Sequence, residues 1–263
     1  MSNPVSICAI AKNEGLYLRE WVEFHRLVGV SHFTIYDNSS TDDTARILSE
    51  FPCVEVIPWP MPKPCQLAAY QHYLDRHHGE SIWAAFIDCD EFLFPVQHDT
   101  ISAALEVIVA GHPHVGAIGV NWACFGSSGR QSYSSEPVIE RFTQTLPPGN
   151  PVNQHIKSVI RMDQEVKVGG DPHYFNVERG TFNELGKPIH GPFSPHTSGL
   201  LRVNHYITKS YEEWLTRAAL GTPDITAVVV DPEEFLRYQG GAMKDRCIQW
   251  FLPELKRRLG CRD

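Results

Sequence analysis

Short apolar runs that end in polar clusters recur through the first half of the chain. Residues 5–11 (VSICAIA) form one such run, closed by Lys12-Asn13-Glu14-Gly15, and predict a buried parallel strand. Leu18, Trp21, Val22, His25 and Val28 then fall at i, i+3, i+4, i+7 and i+10, the spacing of one helix face, with Gly29 as terminator. HFTIYD (32–37) predicts a second strand, and Ser40-x-x-Asp43 resembles a capping box for a helix through Phe51. VEVI (54–57), a helix over 65–78 and an apolar strand over 82–87 repeat the pattern, and a helix over about 100–110 and a strand over about 115–124 extend it. Alternation of this kind predicts an α/β fold with a mostly parallel sheet covered by helices. Ligands bind such sheets beyond the carboxyl ends of the strands, where the polar clusters lie.

Past residue 125 the alternation gives way to stretches rich in Gly, Ser, Pro and His, among them FGSSGRQSYSSEP, VGGDPHYF and GKPIHGPFSPHTSG. Long polar loops in a compact domain are commonly functional. A helix returns where Ser210-x-x-Glu213 makes a capping box ahead of an apolar stripe at Tyr211, Trp214, Leu215, Ala218 and Ala219. The division this implies is one large domain over residues 1–223 and a C-terminal helical extension over 224–263.

The overall balance narrows the function. A net charge of −8 gives the chain no electrostatic draw toward nucleic acid. No apolar run approaches the roughly 20 residues that span a bilayer. Seven scattered cysteines without a C-x-x-C pair, and an N-terminus with no basic and apolar leader, fit a reduced, cytoplasmic chain. The thirteen histidines show no zinc-ligand spacing such as H-E-x-x-H.

Asp88 and Asp90 carry the sharpest chemical signal. Two carboxylates one residue apart, just past an apolar strand, can face the same way from extended backbone. That suits a hard cation, Mn²⁺ or Mg²⁺, which needs only one or two protein carboxylates when phosphate oxygens and water complete its shell. Glu14 and Asp37 follow the first and second strands and share that edge.

Six ordered blocks carry a resemblance: CAIAKNEGLYLREWVEFHRLVGVSHFTIYDNSSTDDT (8–44), AAFIDCDEFLFP (84–95), NWACFGSSG (121–129), HIKSVIR (155–161), DPHYF (171–175) and NHYITKSYEEWLTR (204–217). Together they resemble glycosyltransferase family 92 and related family 2-like enzymes, over about residues 5–220. The resemblance implies a GT-A fold of Rossmann type and a metal-dependent hexosyltransferase that moves a sugar from a nucleotide-sugar donor, usually a UDP-sugar, with inversion. On that reading Lys12, Asn13, Glu14 and Asp37 line the nucleotide pocket. Asp88 and Asp90 hold the metal and diphosphate, and His205 is a third metal ligand or a diphosphate contact.

Breaking the sugar–diphosphate bond builds negative charge on the leaving group, and Lys157, Arg161 and Lys209 are nearby candidates to meet it, Lys209 foremost. Inversion needs a general base at the acceptor hydroxyl. Asp171 and His173 lead there, with Glu91, Glu136 and Glu140 as competitors. Trp122 and Phe125, followed by a glycine-flanked loop, suit an acceptor subsite, because sugar C–H faces pack on aromatic rings. The expected acceptor is a saccharide or a lipid-linked glycan. WFLPELKRRLG near the C-terminus has a basic amphipathic character suited to peripheral contact with the inner face of a membrane. Two rivals share some of these features: a nucleotidyltransferase, whose Gly-rich triphosphate loop Lys12-Asn13-Glu14-Gly15 matches poorly, and a non-catalytic nucleotide-sugar-binding module.

Overall fold

A computed structural model describes residues 4–220, 232–239 and 243–261. The chain opens with β1 (Val5–Ala11), α1 (Gly15–Leu27), β2 (Val30–Asp37), α2 (Thr44–Leu48) and β3 (Val54–Pro58). It continues through α3 (Gln66–His77), β4 (Trp83–Phe86), β5 (Glu91–Pro95), α4 (Ile101–Gly111) and β6 (Ala117–Cys124). The elements foreseen in the sequence up to residue 124 are therefore present, and β5 is added directly after the D-x-D turn. The second half supplies α5 (Val138–Arg141), β7 (Gln144–Thr145), β8 (Ile156–Arg161), β9 (Val166–Asp171), β10 (Tyr174–Val177), β11 (Thr181–Phe182), β12 (Pro188–Ile189) and β13 (Leu201–His205). It closes with α6 (Tyr211–Leu220), α7 (Pro232–Arg237), β14 (Met243–Lys244) and α8 (Leu252–Leu259).

The main sheet runs β3-β2-β1-β4-β8-β6-β11-β12, with β13 joining β6 to β5. Strands β3, β2, β1 and β4 are mutually parallel, whereas β8 is antiparallel to both of its neighbours, β4 and β6. This is the mixed, largely parallel sheet of a Rossmann-like α/β fold. The period of two along β1 sorts the core: Val5, Ile7, Ala9 and Ala11 face the cluster under α1 and α4, while Cys8 and Ile10 face Tyr70 and Tyr73 of α3. The β9–β10 hairpin covers that second face through Phe175, whose ring lies 4.4 Å from Phe86.

One local expectation is corrected. The Ser40-x-x-Asp43 segment does not cap α2, whose N-cap makes no side-chain hydrogen bond. It fastens the start of α1 instead: Ser40 Oγ, Thr44 Oγ1 and Asp42 Oδ2 accept from the backbone N–H groups of Asn13, Glu14 and Gly15 at 2.9, 3.0 and 3.0 Å. A helix start has unpaired donors, and here a neighbouring crossover satisfies them. Gly15 is required, since a Cβ would stand 2.9 Å from Thr44 N.

The expected boundary at residue 223 lies outside the described residues, and α8 packs against the main core. Leu255 is buried in the main core, and Phe251 packs edge-on against Phe24 at 5.8 Å. The apolar side of the amphipathic stretch thus has an intramolecular partner, and Lys256 and Arg258 pair with Glu140 and Glu254. Among the described residues no helix is long and apolar enough to cross a membrane. All seven cysteines carry free thiols.

Candidate active site

β4 delivers the carboxylates. Its apolar residues are buried on both faces, so the chain turns polar only where the strand leaves the sheet, at Asp88-Cys89-Asp90. Glu91, the first residue of β5, braces that turn: its Oε2 accepts from Asp88 N at 2.9 Å. Burial pushes the Glu91 carboxyl up to about 7, against the pull of Lys157. Tyr206 N donates to Asp90 O at 2.9 Å and pins the turn from the other side.

Each aspartate has its own cation. Lys157 lies on β8, the antiparallel strand beside β4, and is fully buried. Its Nζ reaches Asp88 Oδ2 at 2.7 Å and Glu91 Oε2 at 3.3 Å. Burial alone would lower the lysine's pKa, but these two carboxylates more than offset it and hold the ammonium charged. Gln66 Nε2 donates to the other oxygen, Asp88 Oδ1, at 2.8 Å. Asp90 is paired instead by Arg217 of α6, which also donates to Ile207 O at 3.1 Å. Desolvation opposes the Asp90 charge, yet Arg217 and His205 hold its carboxyl well below the ordinary range.

β13 brings His205 in. Antiparallel register sets His205 opposite Glu91, and parallel register sets it opposite Cys124. Its Nε2 stands 3.3 Å from Asp90 Oδ2 and its Nδ1 3.9 Å from Glu91 Oε1. α6 follows on the capping box foreseen in the sequence, with Ser210 N donating to Glu213 Oε2 and Glu213 N to Ser210 Oγ at 3.0 and 3.3 Å. Glu213 also takes a bidentate pair of bonds from Arg141, at 2.9 and 3.0 Å, and the Tyr17 hydroxyl. Lys209, buried and at φ 52°, places its Nζ 4.2 Å from the Tyr17 ring centre. Glu14 completes the group: burial raises its carboxyl, while Lys209 and Arg217 are close enough to pull it down.

The sequence profile of glycosyltransferase family 92 matches residues 4–217, most of the chain. The chain belongs to glycosyltransferase family 92. Three plant family 92 proteins are similar to it: one from Oryza sativa subsp. japonica (26% identical, 81% of this chain and 34% of that one), one from Ricinus communis (25%, 95% and 48%) and one from Arabidopsis thaliana (29%, 94% and 41%). The chain thus spans between a third and a half of the length of these relatives. Among solved structures, glucosyl-3-phosphoglycerate synthase from Mycobacterium tuberculosis, in complex with Mn²⁺, uridine diphosphate and glucosyl-3-phosphoglycerate, is 16% identical over 46% of this chain and 44% of its own, with a TM-score of 0.32. A 4-diphosphocytidyl-2C-methyl-D-erythritol synthase is 12% identical over 62% and 76%, at 0.35. Likeness at those scores says nothing about chemistry.

Within this family 92 domain, Asp88, Asp90, His205, Glu14, Lys209, Trp122 and His173 converge. Trp122 of β6 is enclosed by His155, His173 and His205, with ring centres at 4.8, 5.0 and 4.4 Å. The others of the expected set, and His173 with them, make local contacts. Phe125 is only 1% exposed and packs on Tyr206 at 4.9 Å in the main core, so it offers no face to a sugar. Asn13 Oδ1 accepts from Thr41 N at 2.7 Å, and Asp37 Oδ1 from Ser40 N at 3.2 Å, so both order the loops at the sheet edge. Lys12, half-buried, lies within electrostatic reach of Lys63 beyond β3. Asp171 Oδ1 accepts from His173 N at 2.8 Å. His173 Nδ1 bonds Ile156 O at 3.0 Å, and burial, reinforced by Lys157, lowers the imidazole to about 3.

Among the described residues no three His, Cys, Asp or Glu side chains form a ready-made cation site, because both oxygens of Asp88 are already engaged. What does fit a cation is the neighbouring group: Asp90 Oδ1 and both imidazole nitrogens of His205 are buried without a hydrogen-bond partner. Arg217 was the residue not foreseen as part of this centre, whereas Glu91 was among the candidates. The signal for Arg217 was its i+4 position from Glu213, which puts it on the capped face of α6.

Proposed function

We propose that this domain transfers a sugar from a nucleotide-sugar donor, a UDP-sugar, to a hydroxyl of a saccharide or glycoconjugate acceptor. The observation that carries the reading is the D-x-D turn at the carboxyl end of β4, with Asp90 buried and Asp88 partly so, countered by two dedicated cations and still holding one unpartnered acceptor atom, Asp90 Oδ1. Such a centre suits a ligand that brings both negative charge and, with it, a hard cation. Mn²⁺ or Mg²⁺ would be held by Asp90 and His205, and when bound it supplies counter-charge to a diphosphate.

The chain's own residues then divide the work. Lys157 keeps Asp88 ionised and the turn rigid. Arg217 and Lys209 are the cations free of the sheet, and they meet the charge that develops on the leaving diphosphate. Glu14 and Asp37 take the base and ribose. Asp171 takes the acceptor proton in an inverting displacement, while His173, held neutral with Nδ1 on Ile156 O, presents Nε2 as a hydrogen-bond acceptor.

The test is calorimetric binding of UDP with Mn²⁺, with Mg²⁺ and with EDTA, beside nucleotide release from a panel of UDP-sugars. Wild type is expected to bind UDP with metal and cleave one donor slowly. Asp90→Ala is expected to lose at least about a hundredfold in turnover, the scale for removing one electrostatic contact to the transition state. No binding of UDP under any metal condition would overturn the assignment.

A further inference from the structure

With Phe125 in the core, the acceptor platform has to lie elsewhere, and the ring contacts around Trp122 lead to it. His155 stacks nearly parallel on Trp122, at 22° between planes. On its other side His155 meets Phe193, ring centres 4.4 Å apart, and Phe193 is 53% exposed. Phe193, His155, Trp122 and His205 therefore form a continuous series of rings from solvent to the atom pair His205 Nε2–Asp90 Oδ2.

The exposed ring is held in place by backbone. Residues 155 and 193 form an antiparallel bridge, flanked by Ile156 N donating to Pro192 O at 3.1 Å and Ser194 N to Gln154 O at 2.9 Å. Gly191, at φ 97°, supplies the turn into Pro192. A large apolar ring is thus left about half in solvent at the rim of a polar centre. A second observation lies further along the same series: the Trp122 indole N–H is buried and has no hydrogen-bond partner, a cost that a ligand hydroxyl would remove.

We propose that Phe193 and His155 form the acceptor subsite, which takes a pyranoside whose C–H face lies on the Phe193 ring and whose reacting hydroxyl points along the series toward the D-x-D turn. This rests on the glycosyltransferase reading above. It extends that reading by naming a carbohydrate face, rather than a charged or lipid group, as what the rim recognises.

The test is saturation-transfer difference NMR of the full chain with UDP and Mn²⁺, using the methyl glycosides of glucose, galactose, mannose, N-acetylglucosamine, xylose and fucose as probes. Wild type is expected to transfer saturation to the ring C–H protons of at least one glycoside. Phe193→Ala is expected to weaken that binding roughly three- to tenfold, the range for one aromatic contact, while Phe193→Trp retains it. Both variants should keep wild-type UDP affinity and melting temperature, which separates the subsite from folding and from the donor site. Undiminished transfer in Phe193→Ala overturns the proposal, as does UDP binding without transfer to any glycoside. Failure of wild type to bind UDP overturns the donor reading and this subsite with it, and calorimetry alone tells that outcome apart.

Discussion

The two halves of the domain contribute opposite charges to one centre. Residues 5–124 supply Glu14, Asp88, Asp90 and Glu91, all at the carboxyl edge of the parallel strands. Residues 125–220 supply Lys157, His205, Lys209 and Arg217, from one antiparallel strand, the end of another and the approach to α6 and its middle. The first half is regular, but β8 of the second half separates its β4 from its β6 in the sheet, and without the second half its acids, Asp90 and Glu91 buried among them, would lack their cations. A buried unpaired charge costs several kcal/mol, so the irregular second half is a condition for the first half's active-site turn to exist in this form.

The largest way to break this complementarity is Lys157→Met. It leaves Asp88 and Glu91 without their buried cation and is expected to lower unfolding free energy by about 3–5 kcal/mol. Urea denaturation measures it, and the double variant Lys157→Met/Asp88→Asn should recover part of the loss. A single-variant loss below about 1 kcal/mol, the range of a surface pair, would show that the halves are not coupled through this lysine.

Acid separates the halves next. In the first half His25 is fully buried, Nδ1 on Trp21 O and Nε2 accepting from Leu93 N, and desolvation lowers its pKa from 6.5 to about 3. Below pH 6.5 the unfolded chain therefore binds more protons than the folded one, and stability falls as pH drops, by about 2 kcal/mol between 6.5 and 5. In the second half, burial opposes the Glu213 charge, but Arg141 and Ser210 more than offset it and hold the carboxyl below 4.5. Its contribution persists until pH falls below 4.5. Melting temperatures across pH 7 to 3 check both; because the raised Glu91 carboxyl works in the opposite sense between pH 7 and 5 and the lowered His173 imidazole in the same one, the His25 part is read as the difference in slope between wild type and His25→Gln, and equal slopes would remove His25 from the account.

The smallest effect sharpens the comparison at α6. Ser210→Ala removes one half of the capping box and is expected to cost about 1 kcal/mol. Because the same helix carries Arg217, UDP affinity should weaken along with stability. A loss of stability with unchanged affinity would show that the helix start and the arginine act independently.

The legibility of the sequence follows the same division. β1 to β4 and β6 could be read because buried strands of such a sheet are continuous apolar runs separated by helical periods. β8 and β13 were harder: IKSVIR and LRVNH carry a lysine, an arginine and a histidine in buried positions, and those residues read as solvated until their carboxylate partners are in place. Asp88 and Asp90 were visible because they end an apolar strand. Their cations come from 69 and 127 residues away, and no local pattern announces such pairings. The burial of Phe125 was hidden for a related reason: an aromatic at a strand end looks the same in sequence whether Tyr206 covers it or solvent does. Phe193 lay unmarked in a polar loop for want of the backbone bridge to residue 155.

The fastening of the first crossover to the second has a consequence for how an anion can be held. The amides of residues 13–15 are spent on Ser40, Thr44 and Asp42, so these three backbone donors are not left to wrap around a phosphate. Anchoring by main-chain amides is insensitive to which side chains the loop carries, whereas on the proposed function a phosphate would be gripped by side chains delivered from remote parts of the fold. The grip is therefore assembled only when the whole domain closes on itself, and each of its cations can be altered without rewriting the first turn of the chain.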